Sequence, residues 1–103
     1  MELFQMKKLF VLKLSSVPGI VNIQANQESQ TSEIQNESLD PMDWVEVFLT
    51  PNGWSFVASI KVLNAISVKP LMEELYSQIN YELEKQKEKI SNITIFIRGV
   101  KNV

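Results

Sequence analysis

The chain of 103 residues contains no cysteine and no histidine. Without cysteine there is no disulfide and no thiolate metal site, which suits a reducing, cytoplasmic setting. Without histidine the chain lacks the commonest general base near neutral pH and the commonest transition-metal ligand. Only three glycines occur, and none belongs to a phosphate-cradling loop. No apolar run approaches the ~18 residues of a membrane-spanning helix. No Gly-x-Ser-x-Gly and no calcium-type Asp-x-Asp-x-Asp-Gly spacing is found. These absences point away from an enzyme and call for no cofactor and no metal.

Charge is scarce but unevenly placed. The net charge is −2. The acids Glu28, Glu33, Glu37, Asp40 and Asp43 fall in one stretch without a lysine or arginine. The rest of the chain is mildly basic, too mildly to indicate nucleic-acid binding by itself. Of the carboxylate neighbours, Glu73/Glu74 point to different helix sectors and Glu84/Glu88 lie one turn apart on a polar face, so neither pair sits in an identifiable cleft for general acid–base work.

What is present is a single domain with an α+β pattern. Residues 8–14, Lys-Leu-Phe-Val-Leu-Lys-Leu, are read as a first strand. Read from Met6, the same run loosely resembles a signal peptide. Lys13 interrupts its apolar centre, and Ile23-Gln24-Ala25 is a poor cleavage site. Val17-Pro18-Gly19 marks a turn, after which Ile20–Ile23 can form a short strand hairpinned back on the first.

Residues 24–42 are polar, with few apolar anchors to offset their ordering entropy. They are expected to form a mobile insert, and limited proteolysis is expected to cut there first.

Trp44–Thr50 and Trp54–Leu63 flank Pro51-Asn52-Gly53 and form a hairpin. Two registers compete. A two-residue Asn52-Gly53 turn sets Pro51 against Trp54 and Val47 against Ala58. A type I turn with a glycine bulge sets Thr50 against Trp54 and Phe48 against Phe56. The second is favoured, because each of its turn residues suits its backbone position. In the first register the second face keeps Trp44, Phe48 and Val57. In the other it keeps Val45, Val47, Leu49 and Val57.

Val68, Leu71, Met72, Leu75, Ile79 and Leu83 follow helical spacing, which predicts a helix over 68–89. Ile93-Thr-Ile-Phe-Ile97 is nearly continuously apolar, as in an interior strand covered on both faces. The second hairpin strand, the helix and this strand form a β-α-β crossover with parallel strands. The expected architecture is a mixed sheet of four or five strands with one long helix on one face. Leu75, Ile79, Phe96 and Ile95 or Ile97 are its expected core.

One helix leaves one sheet face uncovered, and that face keeps large apolar groups. Such patches usually mark interaction surfaces. The sequence therefore points to a protein-interaction module: a homodimer, or an adaptor or inhibitor docked through the helix-free face. Trp44, Phe48, Val57 and Trp54 are the interface candidates. The alternative is single-stranded nucleic-acid binding on the same face, with Lys13, Lys61 and Arg98 beside the aromatics.

Overall fold

The computed structural model describes residues 2–25 and 40–102. These form two α-helices and four strands: α1 (Leu3–Ser16), β1 (Ile20–Gln24), β2 (Glu46–Thr50), β3 (Gly53–Leu63), α2 (Val68–Lys85) and β4 (Ile90–Lys101), with a 3-10 turn at Pro41–Asp43. The expectation for residues 26–39 lies outside the described residues. Of the remaining polar insert, Gln24 closes β1, and Pro41 and Met42 belong to the 3-10 turn.

The first segment is a helix, not a strand. Glu, Leu, Gln, Met and Lys dominate its first two turns, all good helix formers, and Val11 is its one β-branched residue. The Glu2 backbone N–H donates to Gln5 Oε1 at 3.2 Å, which satisfies one orphan donor at the start. Met6, Phe10 and Leu14, four residues apart, form one stripe and are fully buried. Pro18 ends the helix: Val17 before it is already extended.

β3 is the centre of the sheet. β4 pairs with it in parallel along one edge, from Trp54↔Ile90 to Leu63↔Lys101. The other edge is shared by two short antiparallel strands, β2 opposite Gly53–Val57 and β1 opposite Ser59–Val62. So the sheet is mixed and four-stranded, and β1 pairs with β3 instead of the preceding segment.

The β2–β3 hairpin adopts neither expected register. Thr50 pairs with Gly53, Leu49 with Trp54 and Val47 with Phe56, so Pro51 and Asn52 alone form the turn. Thr50 organises it, its Oγ1 accepting from the Asn52 N–H at 3.1 Å and donating to the Gly53 carbonyl at 2.8 Å. Pro51 thereby falls in the turn, where its missing N–H is not required by the ladder. Gly53 becomes a strand residue at φ +127.

Both helices cover the face of β3 that carries Trp54, Phe56, Ala58, Ile60 and Val62, all buried. The Phe10 and Phe56 rings meet at 5.0 Å, tilted by 55°. Leu71, Leu75, Ile79 and Leu83 complete the core from α2. Leu75 and Ile79 are thus where the periodicity puts them. Phe96 is not: it is 45% exposed on the opposite face. The second helix explains the difference, because α1 supplies the cover for β3 that the sequence reading assigns to α2 and β4 alone.

α2 ends at Lys85, four residues before the expected boundary. The Lys87 N–H donates to Glu84 O at 3.0 Å and the Glu88 N–H to Leu83 O at 2.9 Å. This is a Schellman closure, with Lys87 at φ 61 where glycine is usual. Lys87→Gly removes that backbone strain and is expected to stabilise the fold by about 0.5–1 kcal/mol in denaturant titrations. A neutral or destabilising result would mean that the left-handed residue is not strained.

Candidate helix-free sheet face

Side chains alternate along a strand, so the residues of β3 between the buried ones form the other face: Ser55, Val57, Ser59, Lys61 and Leu63. The register adds Glu46 and Phe48 from β2, Asn22 and Gln24 from β1, and Asn92, Thr94 and Phe96 from β4. Neither described helix covers it.

The face is more polar than the apolar count suggested. Gln24 Nε2 donates to Asn22 Oδ1 at 2.8 Å, and Asn92 Nδ2 to Thr94 Oγ1 at 3.1 Å. Along its middle, Ser55 and Ser59 are buried between the neighbouring strands. Small serines on the central strand leave its floor low. Phe48 on β2 and Phe96 on β4 stand higher, 47% and 45% exposed.

A depression of about 240 Å³ forms beside Phe96, lined chiefly by Trp44, Glu46, Val57, Ser59, Phe96 and Arg98. Arg98 is the extra residue where the β3–β4 register shifts, between Ile97 and Gly99. Two residues on from Phe96, the Arg98 side chain lies over the same open face. Its Nε donates to Ser59 Oγ at 3.4 Å, and its guanidinium lies 4.9 Å from the centre of the Phe96 ring. The cation–π contact and the serine hydroxyl together fix a planar donor at the rim of a hollow of mixed polar and apolar lining.

The interface candidates therefore divide. Trp44 and Val57 line the depression, and Phe48 lies on the same face. Trp54 does not join them. It is 5% exposed under the helices, and its Nε1 donates to Glu88 Oε1 at 3.1 Å. Its parity with Phe56 and Ile60 was the signal that separates it from Val57.

The basic candidates divide too. Lys61 and Arg98 are on the open face. Lys13 is on α1, in the helical layer, with its Nζ 3.4 Å from Glu82 Oε2. Lys85 holds the other Glu82 oxygen at 3.2 Å. Lys85 first, and Lys13 after it, hold the Glu82 carboxyl below its ordinary pKa, against a partial desolvation that works the other way. Sequence reasoning missed Phe96 as a face residue, because a continuously apolar strand gives no alternation to read.

Among the described residues there is no group of three or more acidic side chains placed to hold a metal ion. No described helix is long and apolar enough to cross a membrane. No family model matches the chain, and no curated protein or solved structure matches it.

Proposed function

We propose that the protein is a non-enzymatic protein-interaction module that docks a partner on the helix-free face of its sheet. The depression takes an apolar side chain of the partner between Trp44, Val57 and Phe96. Arg98 takes a neighbouring carboxylate. The observation that carries this reading is the placement of Arg98, stacked on Phe96 and tied to Ser59 beside a hollow of mixed polar and apolar lining. A guanidinium held in place loses less rotamer entropy when it binds a carboxylate. The partner is accordingly a protein with an apolar anchor next to an acidic residue.

A photo-crosslinker tests the reading. Phe48→benzoylphenylalanine places the reactive ring on the open face, and Tyr81→benzoylphenylalanine places it on the exposed surface of α2 as a control. In cells the Phe48 position is expected to give an adduct of discrete mass that the Tyr81 position does not. Val57→Lys should abolish that adduct, because the longer, charged side chain would fill the depression beside Glu46 and exclude the partner's apolar group. An adduct equal at both positions, or absent at both, sinks the proposal.

A second reading, single-stranded nucleic acid on the same face, draws on Lys61 and Arg98 beside Phe48 and Phe96. Lys13 gives it no support, being engaged with Glu82 in the other layer. Fluorescence anisotropy with a labelled single-stranded oligonucleotide separates the two. Binding that falls steeply with salt and is lost in Lys61→Ala would favour the nucleic acid and displace the protein partner.

A further inference from the structure

The strand whose composition suits the interior lies at the edge. β4 runs for twelve residues, Ile90–Lys101, and is paired with β3 along one side. Among the described residues no strand pairs with its other side. Exposed edges are normally blunted by shortness, proline, lysine or bulges. β1 and β2 obey this, at five residues each, with Pro51 directly after β2. The middle of β4 does not. Between the register shifts at Ser91 and Arg98, Ile93–Ile97 contains no charge, proline or glycine.

The surroundings of this stretch are also unfinished. Ile93 and Ile95 are only half-buried, and Ile97 is 39% exposed. Beside them Met72 and Tyr76 of α2 and Ile93 line an open groove of about 570 Å³. A neighbour that supplied both a strand and apolar side chains on the helical face would complete both features.

We infer that this neighbour is a second copy of the chain, its β4 antiparallel to the first about a two-fold axis at Ile95. A two-fold axis normal to the sheet keeps the helices of both copies on one side. Residues opposite one another must then come from the same face. Ile95 is the midpoint of the bulge-free, charge-free stretch. Centred there, Ile95 faces its own mate and Ile93 faces Ile97 of the second copy. On the open face Thr94 meets Phe96, and Asn92 meets Arg98. No like charges oppose each other within this stretch, so the register is self-complementary. The result is one continuous sheet of eight strands with four helices on one face, twice the single chain. β4 becomes the interior strand that its composition describes. This inference concerns the sheet's edge and goes beyond the docking face proposed above.

The absence of cysteine makes the test clean, since an introduced thiol is the only one in the chain. Antiparallel partners lie ~4.5–5.5 Å apart at Cα, within disulfide reach. Ile95→Cys is expected to form a covalent dimer on mild oxidation, whereas Tyr81→Cys on α2 does not crosslink. Sedimentation equilibrium should give the wild type twice its chain mass, dissociating on dilution. Ile97→Lys should give the single-chain mass with unchanged helix content and a cooperative melt, because Ile97 is already partly exposed in one copy. Val57→Lys should keep the dimer while losing the Phe48 adduct, so the two proposals fail separately. A wild type that remains monomeric, a dimer that persists in Ile97→Lys, or equal crosslinking from Ile95→Cys and Tyr81→Cys overturns the inference.

Discussion

Phe10→Ala is expected to destabilise the fold by about 3–5 kcal/mol, while Phe96→Ala costs less than ~1 kcal/mol. Phe10 is fully buried, with Phe56 at 5.0 Å and α1 holding it against the centre of the sheet. Removing its ring leaves a cavity between two rigid elements that cannot collapse far. A single domain of this size has roughly 5–15 kcal/mol to lose, so the variant should melt far below the wild type. Phe96 is 45% exposed on the open face, and its loss mainly releases Arg98. Urea titrations of the two variants decide between two architectures. A larger cost at Phe96 would restore a last strand packed under a helix and would remove α1 from the core.

That comparison marks where the sequence was legible. Hydrophobic spacing of 3.6 is unambiguous over Val68–Lys85, so α2 is read correctly; of its expected stripe Leu71, Leu75, Ile79 and Leu83 are buried, whereas Met72 is half-buried and Val68 is exposed in the first turn. The crossover to a parallel β4 follows from its length and from the apolar run of Ile93–Ile97. α1 was hidden because the window chosen began at Lys8. There Phe10, Leu12 and Leu14 alternate with Leu9 and Val11, and a short apolar run satisfies both periods. The residues from Glu2 to Lys7, good helix formers apart from Phe4, carried the deciding information.

The candidate face was legible through parity and obscured by register. Val57 and Lys61 alternate with Phe56 and Ile60, so the face of β3 is fixed once either residue is placed. The same alternation excludes Trp54, whatever the turn. β2 is different, because one residue of slip exchanges its two faces. Favouring the glycine-bulge turn would have put Phe48 in the core and Val47 on the open face. The observed Thr50↔Gly53 pairing does the reverse. No local propensity could show this, since the determinant is the start of β4, remote in sequence. Arg98 was found as a charge, but its stacking on Phe96 requires knowing that β4 continues as a strand through the register shift to Gly99.

Gly53 is the hairpin residue that meets the start of β4, and Gly53→Ala should cost roughly 2–4 kcal/mol, far above the usual Gly→Ala change in a strand. Two constraints act at once. Its φ of +127 lies where a side chain is strained, and an added Cβ would stand 2.6 Å from the Lys89 carbonyl oxygen and 2.9 Å from its carbon. Both atoms are backbone, and the same carbonyl accepts the Trp54 N–H at 2.8 Å. It therefore cannot retreat without breaking the contact that joins the hairpin to the start of β4. Gly99→Ala is the internal control. Its added Cβ would meet the Lys61 side chain at 3.3 Å, a flexible neighbour that can move, so a change below ~1 kcal/mol is expected there. Equilibrium unfolding of both variants, followed by tryptophan fluorescence, gives the comparison. Similar costs at the two glycines would show that the Gly53–Lys89 approach does not hold the hairpin in register. A large cost at Gly53 alone would identify this contact as what sets which residues of β2 reach the open face.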